Sequence, residues 1–285
     1  MLVTSDVIIN KAYKEGYAVA AINTQGGNYD IIRSICDAAE ECRSPVILAH
    51  YPITGTYSGD DWFYEVAKWC AGKVTVPVAV HLDHGDSFET AKECIDIGFT
   101  SVMYDGSALP VKKNATNTNK VIDYAHSRNI PVEAEVGPLS ASNLDGANTA
   151  KHNIVSVGEV EEFLSLCRPD FLAVGIGNAH GFYTSSPNIR LDVLEQCRRI
   201  TDIPLVLHGC TGMPDDTVRK AIATGVAKIN FGTLVRHEYV RHYADGINKL
   251  DHNGHSYKIS AYAYSQMKKV ISGIIALSGS ENKGY

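Results

Sequence analysis

Eight short apolar runs, each followed by an amphipathic stretch, constrain this chain more than any other feature. They fall at residues 18–23 (AVAAIN), 46–50 (VILAH), 78–82 (VAVHL), 101–104 (SVMY), 132–136 (VEAEV), 171–174 (FLAV), 205–207 (LVL) and 228–230 (KIN). Apolar runs of this length, bounded by turn residues, suit buried strands. Pro45, Pro77, Pro131 and Pro204 stand directly before four of them, where a strand tolerates the missing N–H. Between the runs lie helical patterns. Residues 30–42 place Ile31, Ile35, Ala38 and Ala39 on one face, and 87–97 opens on Ser87 and stops at Gly98. Residues 158–167, 191–199 and 214–224 behave likewise, the last stopping at Gly225. The N-terminal residues predict a helix capped by Thr4 or Ser5. Strand–helix alternation repeated about eight times in this length is the arithmetic of an α/β chain folded as a (β/α)8 TIM barrel. A doubly wound open sheet is the rival, but its glycine-rich turn is poorly matched by AINTQGG after the first run. No linker rich in Pro, Gly or Ser interrupts the pattern, so residues 1–285 are expected to form a single domain. The polar, small-residue stretch 137–153 is long enough to predict an active-site lid.

Composition narrows the partners. With 26 basic and 32 acidic residues the formal charge is −6, which disfavours a nucleic-acid binder or an anionic-membrane binder. It leaves room for a small anionic ligand held by local dipoles. No apolar run approaches the about 18 residues of a membrane span. The first residues lack the pattern of a secretory signal, and seven cysteines occur without a CxxC pair. Reduced, mostly buried thiols and a cytoplasmic location are the expectation.

The unusual polar residues sit at the ends of the predicted strands. His81-Leu82-Asp83-His84-Gly85 ends the third, Asp105 follows the fourth, and Glu133 and Glu135 alternate along the fifth. Asn178-Ala179-His180-Gly181 follows the sixth, His208-Gly209 the seventh, and Asn230 ends the eighth. In a parallel barrel all of these converge on the C-terminal mouth, where barrel enzymes hold their sites. Three imidazoles converging there suit a catalytic Zn²⁺ with one open position. Asp83 reads either as an acid–base group or as a residue orienting a histidine, and Glu133 and Glu135 also suit interior layers of the barrel. His237, His242, His252 and His255 fall in a polar C-terminal region and read as solvated. Asp60-Asp61 reads as a helix N-terminal charge pair, and Cys210 lacks the paired base of a nucleophile. Gly209 to Gly212 and Asn230 to Thr233 each lead into a helix start, a setting for an anion beyond the seventh and eighth strands.

Over nearly its whole length the chain resembles the class II, metal-dependent ketose-bisphosphate aldolases of the fructose- and tagatose-bisphosphate type. The resemblance is carried by PVAVHLDHGDSFETAKECIDIGFTSVMYDGSALP, VEAEVG, VGIGNAHGFY, PLVLHGCTGMPDDTVRKAIATGVAKIN and the turn from Asn230 to Thr233. It implies zinc ligands at His84, His180 and His208, and an acidic pair, Asp105 and Glu135, at a second or alternative metal position. It implies that Asp83 exchanges the proton of the substrate C4 hydroxyl. Gly181, Gly209, Thr211, Asn230 and Thr233 would hold dihydroxyacetone phosphate. The implied metal polarises a ketone and hydroxyl, so no Schiff-base lysine is needed. The implied partners are a phosphorylated sugar and further copies of the chain, as a homodimer or homotetramer.

The chain also departs from the family pattern. The lid glutamate is missing from residues 140–145, which leaves Asp145 or another group to handle the C3 proton. A lysine common four residues after the second histidine is Thr184, and Tyr51 stands where a small hydroxyl residue is usual. The arginine for the second phosphate is represented by Lys258 in Ser256-Tyr257-Lys258. A lysine offers a point charge in place of a bidentate fork, so the 1-phosphate is expected to be obligatory and the terminal phosphate to matter less. Two rivals remain: an aldolase-like lyase on another phosphorylated or acidic sugar, and a non-catalytic barrel that binds a partner.

Overall fold

A computed structural model describes residues 1–137, 154–183, 187–250 and 255–285. Eight strands occupy the predicted runs: β1 (Val19–Asn23), β2 (Val46–His50), β3 (Val78–Gly85), β4 (Ser101–Tyr104), β5 (Val132–Val136), β6 (Phe171–Val174), β7 (Leu205–Leu207) and β8 (Val226–Phe231). They pair in chain order, all parallel, and β1 closes on β8 through Ile22 opposite Phe231. The chain is therefore a (β/α)8 TIM barrel.

The helices form the outer ring. They are α1 (Ser5–Glu15), α2 (Tyr29–Glu41), α3 (Pro52–Ser58), α4 (Asp60–Ala71), α5 (Phe88–Ile97), α6 (Val111–His126), α7 (Val157–Leu166), α8 (Leu191–Ile200), α9 (Asp215–Ala223), α10 (Thr233–Lys249) and α11 (Ser256–Ser278). Several ends follow their predicted signals. The Ser87 side chain accepts from the Thr90 N–H at the start of α5, whose stop is Gly98. Thr4 precedes α1 without making a side-chain cap; the Ser5 hydroxyl instead donates to Ser101 on β4.

Alternation along the strands sorts residues into two layers. Ala20, Ile22, Val46, Leu48, Val78, Val80 and Leu82 pack outward beneath the helices, with Ile31, Ile32 and Ile35 of α2 among them. Val19, Ala21, Ile47, Ala49, Ala79, Phe171, Ala173 and Val206 form a smaller inner cluster, which α1 joins with Ile8, Ile9 and Ala12. On β3 the inner Ala79 is followed toward the C-terminal end by His81 and Asp83, and polar residues also take inner positions at Glu133, Glu135, His208, Lys228 and Asn230, all buried. The apolar plug thus stops where the site begins.

Some expectations need correction. His242 is buried on α10 and not solvated, with Nε2 3.4 Å from Glu238; His237 and His255 are exposed as expected. Asp60 does more than charge a helix start, because its Oδ1 lies 2.7 Å from the Nε2 of buried His50. The lid residues 138–153, with Asp145, lie outside the described residues, as do Thr184 and His252. All seven cysteines are free thiols, and Cys42 alone is not fully buried. No helix among the described residues is long and apolar enough to cross a membrane.

Candidate active site

The three predicted ligand histidines meet above the inner core. His84 ends β3, His180 lies in the loop after β6, and His208 directly follows β7. His84 takes a left-handed backbone conformation, φ 56°, at an irregularity in the β3–β4 ladder. That conformation is uncommon for a residue with a Cβ and tends to persist where function requires it. The His84 ring centroid is 4.8 Å from that of His180 and 4.7 Å from that of His208. One nitrogen from each ring falls in a cluster whose members lie within 4.8 Å of one another.

Carboxylates behind the rings decide which nitrogens face inward. Asp105 accepts from His84 Nδ1 at 2.7 Å, and Glu133 accepts from His208 Nε2 at 2.8 Å. Each ring therefore turns its other nitrogen to the centre, the arrangement that orients imidazoles toward a metal. His84 Nε2 and His208 Nδ1 are buried and have no hydrogen-bond partner among the described residues. Unpaired buried nitrogens are costly, and a divalent cation would satisfy both together with His180. The donor set therefore fits a metal of the zinc type. His84, Asp105 and Glu135 form a second group of potential donors around the same ring.

The electrostatics agree with the donor set. Burial works against a charged His84, but Asp83, the hydrogen bond to Asp105, and Glu135 outweigh it and raise its pKa to about 9. Burial and the adjacent His84 lower His180 to about 4 and push His208 well below its ordinary value. Burial opposes ionisation of Asp105, but its contacts with His84 and Ser107 prevail and hold it below the usual carboxylate range. The carboxylates thus favour one positive charge at His84, which is a proton on the ring or a cation that displaces it, while His180 and His208 are held neutral, the form that binds a metal.

Asp83 lies against the same point, with Oδ1 3.8 Å from His84 Nε2 and 3.9 Å from His208 Nδ1. Asn230 Nδ2 donates to that oxygen at 3.1 Å, so the residue expected to contact substrate also fixes the carboxylate. Sequence reasoning missed what lies below. Lys228 Nζ donates to Glu133 at 2.8 Å and to His81 Nε2 at 3.3 Å, and all three side chains are buried. A lysine so enclosed has no path to a substrate carbonyl.

A cavity opens above the histidines, lined by Asp83, Gly181, Gly209, Thr211, Asn230 and Thr233 along with the three rings. Gly209 is held at φ 69°, and a Cβ there would stand 2.4 Å from the Ala179 carbonyl oxygen. The β6 and β7 loops are tied together: Asn178 Nδ2 donates to the His208 carbonyl, and the Tyr183 hydroxyl donates to the Gly209 carbonyl, both at 2.9 Å. Thr211 Oγ1 accepts from the Leu234 N–H at 3.2 Å, which joins the β7 loop to the start of α10. Gln25, Tyr51, Ile53, Thr54 and Arg236 complete much of the wall. Of these only Tyr51 had a sequence signal, and its ring stands edge-on to His84 at 6.2 Å. Lys258 is exposed on α11 and is not among the residues that line this cavity.

A closed parallel barrel with three imidazoles around one point and a carboxylate facing it defines a class of metal-dependent barrel enzymes. Comparison with known proteins narrows the class. The family model described as fructose-bisphosphate aldolase class-II matches residues 3–283. The fructose-bisphosphate aldolase of Staphylococcus aureus strain Mu50 is 34% identical over 289 residues, covering 99% of each chain. That of Geobacillus stearothermophilus is 39% identical over 239 residues, covering 81% of each. The crystal structure of the YdjI aldolase from Escherichia coli K12 superposes with a TM-score of 0.88 at 30% identity, covering 100% of both chains. The chain belongs to the class II fructose-bisphosphate aldolase family and is a carbon–carbon lyase. The family is metal-dependent and its substrates are phosphorylated sugars.

Proposed function

We propose that this chain is a zinc-dependent aldolase that reversibly cleaves a phosphorylated ketose to dihydroxyacetone phosphate and an aldehyde. The observation that carries the reading is the position of Asp83, with one carboxylate oxygen within 4 Å of two unpartnered imidazole nitrogens. His84, His180 and His208 would hold the ion. When bound, Zn²⁺ supplies a Lewis acid that polarises the oxygens of the three-carbon fragment.

The side chains account for the rest. In cleavage Asp83 takes the proton of the C4 hydroxyl as the C3–C4 bond breaks and the C4 carbonyl forms. The electron pair of that bond stays with C3, which a proton then quenches; Asp145 is the candidate donor from the sequence. Asn230 holds the Asp83 carboxylate toward the reacting hydroxyl. Gly181, Gly209, Thr211 and Thr233 bring backbone dipoles and hydroxyls to one end of the cavity, where a phosphate fits. Asp105 and Glu135 offer an alternative position for a cation beside His84.

For the aldehyde half, the absence of Lys258 from the described cavity lining supports a ketose whose terminal phosphate contributes little. The likeness to the YdjI aldolase keeps open another phosphorylated or acidic sugar. The reading includes one domain over residues 1–285, a cytoplasmic homodimer or homotetramer, and no nucleic-acid or membrane partner. Seven unpaired thiols support the reducing compartment. The test is cleavage of a panel of ketose phosphates by protein stripped with a chelator and then given Zn²⁺. Activity should vanish and return. Full activity in excess chelator, or a borohydride-trapped lysine adduct, would overturn the metal mechanism.

A further inference from the structure

A chain of polar side chains runs through the barrel beneath the three histidines. The Ser5 hydroxyl on α1 donates to Ser101 on β4 at 2.7 Å, and Ser101 Oγ stands 2.8 Å from Nδ1 of His81 on β3. His81 Nε2 is 3.3 Å from Lys228 Nζ on β8, and Lys228 Nζ is 2.8 Å from Glu133 Oε2 on β5. Glu133 Oε1 is in turn 2.8 Å from His208 Nε2. Every one of these side chains is buried, and the proposed mechanism uses only His208.

Donor and acceptor chemistry gives this chain a single polarity. An ammonium has three donors and no acceptor; a carboxylate has acceptors and no donor. Lys228 therefore donates both to His81 Nε2 and to Glu133 Oε2. A neutral ring that accepts at one nitrogen carries its proton on the other, so His81 is protonated on Nδ1, which donates to Ser101. Burial and the adjacent ammonium hold His81 well below its ordinary pKa, in keeping with a neutral ring. On the other branch Glu133 Oε1 has only acceptor capacity left. The His208 proton therefore sits on Nε2, and the lone pair sits on Nδ1, the buried atom with no hydrogen-bond partner among the described residues. Asp83 pulls the other way, since a proton on Nδ1 would face its Oδ1. That oxygen is 3.9 Å off, outside hydrogen-bond reach, so the contact with Glu133 wins.

We propose that Lys228 is a positioning residue for the metal centre: it holds one oxygen of Glu133, so that the other can only accept, and thereby fixes His208 in the tautomer whose Nδ1 is free to bind a cation. This rests on the metal reading of the three histidines and deepens it. Lys228 does not line the cavity and acts through Glu133.

The experiment uses full-length protein labelled with ¹⁵N-histidine and stripped of metal. The ¹⁵N chemical shifts distinguish protonated from unprotonated ring nitrogens, and His81→Asn and His208→Asn assign the two rings. Zinc dissociation constants are measured on the same proteins by competition with a chromophoric chelator, and melting curves check folding. Wild type should carry the proton on Nε2 of His208 and on Nδ1 of His81. In Glu133→Gln the ammonium claims the amide oxygen, which turns the amide NH₂ toward His208. The His208 proton should then move to Nδ1, and the zinc dissociation constant should rise by about tenfold to a hundredfold. Adding Lys228→Met frees the amide to turn back, so the double variant should recover part of the wild-type tautomer and part of the zinc affinity. Ile35→Ala, a truncation in the outer core on α2, should lower the melting temperature and leave tautomers and zinc affinity unchanged.

A wild type protonated on Nδ1 of His208 or on Nε2 of His81 would overturn the proposal without any variant. So would a folded Glu133→Gln that keeps the wild-type tautomer or binds zinc within twofold of wild type, or a double variant with no recovery of the tautomer. If wild type binds zinc but cleaves no ketose phosphate, the aldolase reading fails and the lock on His208 stands. If wild type binds no zinc, the metal reading fails and takes the proposed role of Lys228 with it, whatever the tautomers.

Discussion

Asp83→Ala is expected to lower kcat by about 10²–10⁴-fold, the range for a positioned acid–base group, while the zinc content stays at one ion per chain. Loss of the metal together with activity would make Asp83 a support for the ligands instead. Both roles are legible in the motif His81-Leu82-Asp83-His84, and the zinc content of the variant separates them; Asp83 lines the cavity and accepts from Asn230. Below the rings, Lys228→Met is expected to destabilise the fold by about 3–5 kcal/mol, because it leaves the buried Glu133 carboxylate without its cation. Urea denaturation checks this; a change under about 1 kcal/mol would mean that Glu133 is neutralised otherwise. The carboxylates that orient His84 and His208 come from β4 and β5, far away in sequence. No local spacing could show that Glu133 orients a histidine 75 residues later.

At the scale of elements, strand ends and the turns after them do most to build the site. Gly209→Ala should cost about 1–3 kcal/mol, because it puts a side chain on a left-handed backbone with Ala179 in the way. The same change should weaken binding of dihydroxyacetone phosphate, since it moves the backbone that faces the ligand. Thermal melts and calorimetry together test both parts, and an unchanged affinity in a folded protein would remove Gly209 from the phosphate site. The strands were readable from short apolar runs, and most predicted helices begin and end within a residue or so of their signals. The apolar run of the third strand spans 78–82, and β3 continues through the polar motif to Gly85, with an irregular ladder and the left-handed His84 carrying it into the site. The segment of α3 and α4 carries no sequence assignment beyond the Asp60-Asp61 helix start; α4 buries Phe63, Ala67, Cys70 and Ala71, and Asp60 at its start meets His50 at the end of β2. That contact holds the segment carrying Tyr51, Ile53 and Thr54 against the cavity.

For the whole molecule, the distribution of cations makes a prediction about substrate choice. Arg236 lines the cavity, whereas Lys258 is exposed on α11 and is not among the lining residues. A ketose 1-phosphate and its 1,6-bisphosphate should therefore be cleaved with kcat/KM values within about tenfold, roughly 1.4 kcal/mol. A preference of a thousandfold or more for the bisphosphate, abolished by Lys258→Ala, would show that Lys258 reaches the substrate after all. The sequence by itself determined the barrel, because a period of apolar runs and amphipathic stretches repeated eight times is a local signal that needs no knowledge of contacts. It also determined that His84, His180 and His208 would meet at one mouth, because strand-end motifs in a parallel barrel must share one face. Only the tertiary structure decided which carboxylate stands behind which ring, that Lys228 is sealed in the core, and that Arg236, not Lys258, lines the cavity. Those relations join residues from different strands and helices. Their distances are set by how the closed sheet and its loops pack, and spacing along the chain carries no record of that.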